Sequence, residues 1–326
     1  MRTAAIIFFP LDAAWALDEG QYSGALKQNM VWLCGLLPYE QAAAVMARIG
    51  KCLVSDSSLW RMVQQAGQHL GKQAASDQRE ATLVPSPDSA ESDTKLLSMD
   101  GGLVNIFGEG WKEFKVALVG SVVAEEPSPS DRLPKVHTQV LRYSAVLGEV
   151  SAFTPVLLDL VRRTHFGAAS HSCITADGAP WIWNLAEEHC PTSRQILDWY
   201  HARQHLSVAA QALFPDQPVA ATAWFQAHTD DLFDARLAPI VAELERADRA
   251  DIASYFRTHQ ARMDYADFQE EGYPIGSGSV ESEVKQFKHR LDGPGMSWSR
   301  PGAEHMILLR AAVLDGSFDA RWSQAA

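Results

Sequence analysis

Apolar residues recur at two different spacings along this chain, and the change between them divides it. In "YEQAAAVMARIG" (39–50), Ala42, Val45, Met46 and Ile49 follow the i, i+3, i+4, i+7 rule of an amphipathic helix. After "KCLV", Ser55 or Asp56 can cap a second helix, "SSLWRMVQQAGQHL", whose Leu59, Val63 and Leu70 share a stripe. Two short helices joined by a tight link fit either a helical hairpin or a DNA-binding helix-turn-helix. In the second case Arg61, in the second helix, is a candidate DNA contact. Residues 1–75 are therefore read as a helical region. The stretch 71–95, "GKQAASDQREATLVPSPDSAESDTK", reads as a linker or exposed loop, with 76–94 as its core.

The period then shortens. "KLLSMDGGLVNIF" (95–107) and "KEFKVALVGSVVAEE" (112–126) are β-rich runs separated by "GEGW", the outline of a hairpin. After the proline-rich loop "EEPSPSDRLP", "TQVLRYSAVLG" supplies a third strand. "SAFTPVLLDLVRRTHFG" returns to helical spacing, with Leu157, Leu160 and Val161 on one face. "HSCITADGAPWIWNLA" and "SRQILDWYHARQHL" each read as a short apolar strand that ends in an Asp and leads towards a helix. Within the first of these, Trp181 and Trp183 alternate as on an extended segment, suited to core packing or to base stacking. The order predicts an α/β fold, a mixed sheet flanked by helices, over 95–202. Residues 203–272 read as an all-helical insertion, and 273–326 as the last part of the sheet-bearing core.

Composition narrows the classes. With 326 residues and 47% hydrophobic content, the chain can build one large or two ordinary cores. No apolar run reaches the roughly 18–20 residues of a membrane span. The opening "MRTAAIIFFPLDAAW" has too short an apolar core for a signal peptide and is interrupted by Pro10 and Asp12, so a cytoplasmic protein is expected. The four cysteines form no CxxC pair and suit reduced thiols. A formal net charge of −12 argues against a protein that coats nucleic acid by bulk electrostatics, though not against an enzyme that holds it through a local patch.

Three acids stand out by position. Asp100 in "SMDGG" and Asp177 in "ITADGAP" each follow an apolar run and precede a Gly, where a strand is expected to meet a turn. Asp-Gly is also the favoured turn dipeptide, so either alone is explained by local structure. Glu281, in "YPIGSGSVES", heads a late helix, where an acid also complements the helix dipole. Brought together, the three would repel one another unless cations neutralise them, and an all-oxygen donor set suits Mg²⁺ or Mn²⁺. Asp198 and His201 in "DWYH" are candidates for a supporting role around such a site, with Asp198 also a spare ligand for Asp177, or else they are a helix cap and a core histidine. Lys285, Lys288 and His289 follow Glu281 at helical spacing, and Lys112 and Lys115 lie in the first hairpin; all are candidate phosphate contacts.

The blocks "SMDGGLVNIFGEGWKEFKVALVG", "ADGAPWIWNLA", "QILDWYHARQHL" and "YPIGSGSVES" together resemble the ISKra-type bacterial insertion-sequence transposases. The resemblance runs from "FPLD" near residue 9 to "SFDARW" near residue 322. It implies an RNase H-like fold with a five-stranded mixed sheet and an Asp-Asp-Glu triad made of Asp100, Asp177 and Glu281, the last on a helix after the helical insertion. It also implies Mg²⁺ as cofactor with Mn²⁺ able to substitute, DNA as partner (terminal repeats and target duplex), and a homodimer or larger assembly on DNA. Relatives carry a further region before the "FPLD" segment, and a small residue where this chain has Glu283. A truncated or repurposed DNA-binding copy without catalysis is therefore the alternative expectation.

Overall fold

The computed structural model describes residues 22–80, 94–124, 136–276, 285–293 and 295–323. The chain forms two compact units, each discontinuous in sequence. One gathers the described residues of Met1–Leu83, Leu103–Lys112 and Phe287–Ala326; the other gathers those of Val84–Gly102 and Glu113–Gln286.

The second unit carries most of the sheet, and Leu103–Lys112, the end of the first strand and the start of the second, fall to the first unit. Strands β1 (Thr94–Ile106), β2 (Gly110–Ala124), β3 (Val136–Leu147), β4 (His171–Ala176) and β5 (Arg194–Leu197) lie in the order β3-β2-β1-β4-β5. β2 and β3 pair antiparallel, whereas β4 is parallel to both β1 and β5. This mixed five-stranded α/β sheet, with an antiparallel β2 beside a central β1, has RNase H-like topology. The "GEGW" hairpin forms as the sequence predicts, with Gly108 and Gly110 at positive φ.

Helices flank the sheet. α4 (Val150–Arg163) buries Phe153, Leu157 and Leu160, and packs by β3. α5 (Pro180–His189) follows β4, and α6 (Trp199–Leu213) follows β5. The segment beyond is all helical: α7 (Pro218–Phe233), α8 (Leu237–Arg246), α9 (Ala250–His259) and α10 (Tyr265–Glu270). Residues 285–289 are helical as well.

In the other unit α1 (Gly24–Leu36), α2 (Tyr39–Arg48) and α3 (Asp56–Glu80) pack with α11 (Arg300–Leu314) and α12 (Phe318–Ser323). α3 continues through residues 71–80, which composition alone assigns to a linker. Tertiary contacts override propensity there. Gln73 donates to the Arg321 carbonyl at 3.0 Å, and Arg321 pairs with Asp77 at 3.4 Å. Between α2 and α3 run residues 49–55, longer than the three or four residues of a helix-turn-helix turn. The inward stripe Leu59, Val63 and Leu70 is buried, and Arg61 is exposed.

Candidate active site

The site is built by strand register. Ser98 of β1 pairs with Thr175 of β4, so Asp100 and Asp177 each stand two residues further along neighbouring parallel strands. Ala176 of β4 pairs with Leu197 of β5, and the Asp198 amide donates to the Ala176 carbonyl at 2.9 Å, which brings Asp198 level with Asp177. Three acids thus occupy one row across strands spaced about 4.8 Å apart. The two Asp-Gly pairs that look alike in sequence differ in structure. Asp100-Gly101 lies inside β1, which continues to Ile106, so no turn begins there. β2 accompanies β1 beyond this point, and the missing side chain at Gly101 admits the Glu113 carboxylate to 3.3 Å of where a Cβ would stand. Asp177-Gly178 is a true turn, in which Asp177 Oδ1 accepts from the Ala179 amide at 3.0 Å and Gly178 has φ +85°.

Asp100 and Asp177 are half-buried, while Asp198 is 1% exposed. Asp100 Oδ1 accepts from the Gly101 amide at 2.6 Å. Asp198 is the N-cap of α6: its Oδ1 accepts from the His201 amide at 2.9 Å and lies 3.1 Å from His201 Nδ1. The sequence allowed either a cap or a supporting site residue, and the structure shows the cap. The carboxylate caps the helix and sets the orientation of the partly exposed imidazole.

Lys115 departs from expectation. It is 1% exposed, paired with Glu113 at 2.6 Å and seated 4.2 Å from the Trp181 ring centre, so it is part of the interior and not a surface phosphate contact. Trp181 and Trp183 are helical, on the first turns of α5, because Pro180 at N1 starts a helix where their alternation suggested an extended segment. Trp183 is buried, and Trp181 meets Phe153 edge-on at 5.7 Å.

α9 closes over the Asp177 turn. A Cβ at Gly178 would stand 3.4 Å from His259 Nε2 and 3.5 Å from Tyr255 Oη. The Tyr255 ring stacks on His205 of α6 at 3.6 Å and 15°. Burial pushes the Tyr255 phenol up, with the charges of Asp177 and Asp198 acting in the same direction. Burial lowers His259 to about 4, helped by Arg262 and His205 and opposed by Asp177. Burial also lowers His205, with the neighbouring His201 adding to the effect. Both shifts favour the neutral imidazole. Sequence reading passed over Tyr255 and His259; their i, i+4 spacing on one helix was the available signal.

Of the remaining candidates, Glu281 lies outside the described residues, as does Glu283. On 285–289, Lys285 and His289 are exposed and Lys288 is half-buried. The next basic residue, Arg290, turns inward. It is 2% exposed, donates to the Cys34 carbonyl at 2.9 Å and lies over the Tyr39 and Trp298 rings. Lys112 is half-buried in the unit that also holds Arg61, Lys288 and His289. Among the described residues no three His, Cys, Asp or Glu side chains converge as a metal site, and none of the helices is long and apolar enough to cross a membrane.

The sequence matches no protein-family model and no curated protein. Among solved structures, the chain is similar to one in the Drosophila P element transposase strand transfer complex. The identity is 12% and the TM-score 0.33, over 96% of this chain and 84% of that one.

Proposed function

We propose that the protein is a DNA transposase that cuts insertion-sequence ends and transfers their 3′ ends to target DNA. The observation that carries this reading is the row formed by Asp100 and Asp177 at matching positions of adjacent parallel strands. Half-buried carboxylates with only oxygen donors fit hard divalent cations, and no thiol stands in the row to favour a softer metal. Asp100, Asp177 and Glu281 would hold Mg²⁺, or Mn²⁺ in its place. Bound there, the ions would activate the attacking oxygen and stabilise the leaving oxygen on phosphorus.

The other roles fall to neighbouring residues. Asp198 holds α6 and the His201 imidazole beside the row, where His201 can orient a phosphate or a water. Lys285 and His289, exposed on the helical stretch 285–289, suit contacts with the DNA backbone, with Lys288, Lys112 and Arg61 as further candidates. Two ends must be joined in one event, so a homodimer or larger assembly on DNA is part of the proposal.

The test is cleavage of a labelled duplex carrying the element's ends with Mg²⁺ or Mn²⁺, comparing wild type with Asp100→Asn, Asp177→Asn and Glu281→Gln. Metal-dependent nicking that vanishes in all three, with DNA binding retained, is the expected result. Binding without wild-type cleavage would replace this reading with that of a DNA-binding protein that has lost catalysis.

A further inference from the structure

Asp177 needs more support than its strand provides. The last paired residue of β4 is Ala176, so ladder hydrogen bonds end just before the carboxylate. Asp177 then enters a turn whose glycine has φ +85°. A carboxylate on such a turn is aimed only as well as the turn is held.

We infer that Tyr255 and His259 of α9 are positioning residues for Asp177, and that the helical segment after β5 thereby sets the aim of the second acid. The inference rests on the function proposed above and extends it to residues outside the triad.

The geometry has three parts. First, the turn is roofed: the groups nearest a Cβ at Gly178 are Leu197 Cδ1, His259 Nε2 and Tyr255 Oη, at 3.2, 3.4 and 3.5 Å. Two of the three are polar groups of one helix. Second, those groups are held from behind. Tyr255 stacks on His205, which belongs to the helix capped by Asp198, and His259 lies 4.8 Å from Tyr255 and 6.4 Å from Trp183 of α5. Beyond α9, Arg262 covers Trp183 at 4.6 Å and donates to Gln195 Oε1 of β5 at 2.7 Å, tying the end of the helix to the sheet. Third, Tyr255 Oη and His259 Nδ1 are buried without a hydrogen-bond partner among the described residues. A buried phenol hydroxyl left without a partner is a cost to the fold. Beside a carboxylate-bearing turn it is a donor in reserve. It can engage Asp177, directly or through one water, once the acid's other oxygen is drawn to a cation. Partners of this kind around a ligating carboxylate typically govern metal affinity.

The experiment measures Mn²⁺ alone binding to the DNA-free full chain, from the loss of the free-ion electron paramagnetic resonance signal, together with the melting temperature of each variant. Asp177→Asn should remove the site. Tyr255→Phe keeps the ring stack and deletes only the hydroxyl, so it should weaken Mn²⁺ binding about 10-fold while the melting temperature stays level or rises. A merely structural tyrosine would not give that pairing. His259→Phe should also weaken binding, and His259→Gln, which restores a nitrogen donor, should recover most of it. If His259→Phe does not fold, Tyr255→Phe decides alone. Unchanged Mn²⁺ affinity in Tyr255→Phe, with binding lost in Asp177→Asn, overturns this inference and leaves the proposed function standing. No Asp177-dependent Mn²⁺ binding in the wild type overturns both.

Discussion

Asp100 and Asp177 stand on the same row of neighbouring strands, each two residues beyond the paired Ser98 and Thr175. Yet the backbone beneath them differs: Asp100 is held within a strand flanked by β2 and β4, and Asp177 on a turn just past a strand end. One acid lies inside a strand and the other on a glycine turn packed under α9. The second should therefore be the more sensitive to its surroundings. Gly178→Ala places a side chain at positive φ against Leu197, His259 and Tyr255, and should cost about 1–2 kcal/mol of stability.

Asp198 combines a cap with a charge, and two substitutions separate them. Asp198→Ala removes the acceptor for the His201 amide and should cost about 1–2 kcal/mol in denaturant unfolding. Asn is as good an N-cap, so Asp198→Asn should retain most of the stability. Cleavage lost in Asp198→Asn at near-normal stability would assign the charge to function, and full cleavage would leave Asp198 as a cap alone.

Two glycines on α3 should respond in opposite directions. A Cβ at Gly67 would fall 2.2 Å from His305 Cβ and 2.7 Å from its Cα on α11, a clash with backbone that cannot swing away. Gly67→Ala should destabilise by about 1–3 kcal/mol. At Gly71 the same Cβ meets only Leu308 Cδ1 at 3.5 Å. There alanine should stabilise by up to about 1 kcal/mol through helix propensity. Paired melting curves check both, and equal shifts would mean that α3 does not pack on α11 at these positions.

The cysteines should divide by burial. Cys34, Cys173 and Cys190 are buried, and burial pushes all three thiols up, Cys34 to about 12. Cys52 is half-buried. A colourimetric thiol reagent should find one fast-reacting group, lost in Cys52→Ser, and the other thiols only after denaturation.

Acid should weaken the fold. Burial lowers His205, His259 and His305, so each binds a proton less readily folded than unfolded. The stability they contribute is full above the unfolded value near 6.5 and is lost as pH falls below it, for His259 down to about 4. The net charge of −12 acts the other way, since protonation relieves repulsion among the acids. A urea midpoint lower at about pH 5.5 than at about pH 7.5, with unchanged slope, is expected if the histidines dominate. A flat or rising midpoint would show that relief of repulsion wins.

Much of this protein is written in local periodicity. The helical spacing of 39–50, the β-rich runs around "GEGW", most of the helix read over 151–167 and the two short strands just before Asp177 and Asp198 are each set by residues close to one another in sequence. Tertiary structure decided what those positions do. "GKQAASDQRE" has linker composition and is helical because α11 and α12 offer it partners. Lys115 and Arg290 resemble surface cations and are buried, one against Glu113 and Trp181, the other against a helix-end carbonyl and two rings. Tyr255 and His259 reach the Asp177 turn only because α9 folds back over it. Side-chain spacing along the chain determines which face of an element is apolar. Strand register and helix packing, which join residues far apart in sequence, determine which polar groups meet there.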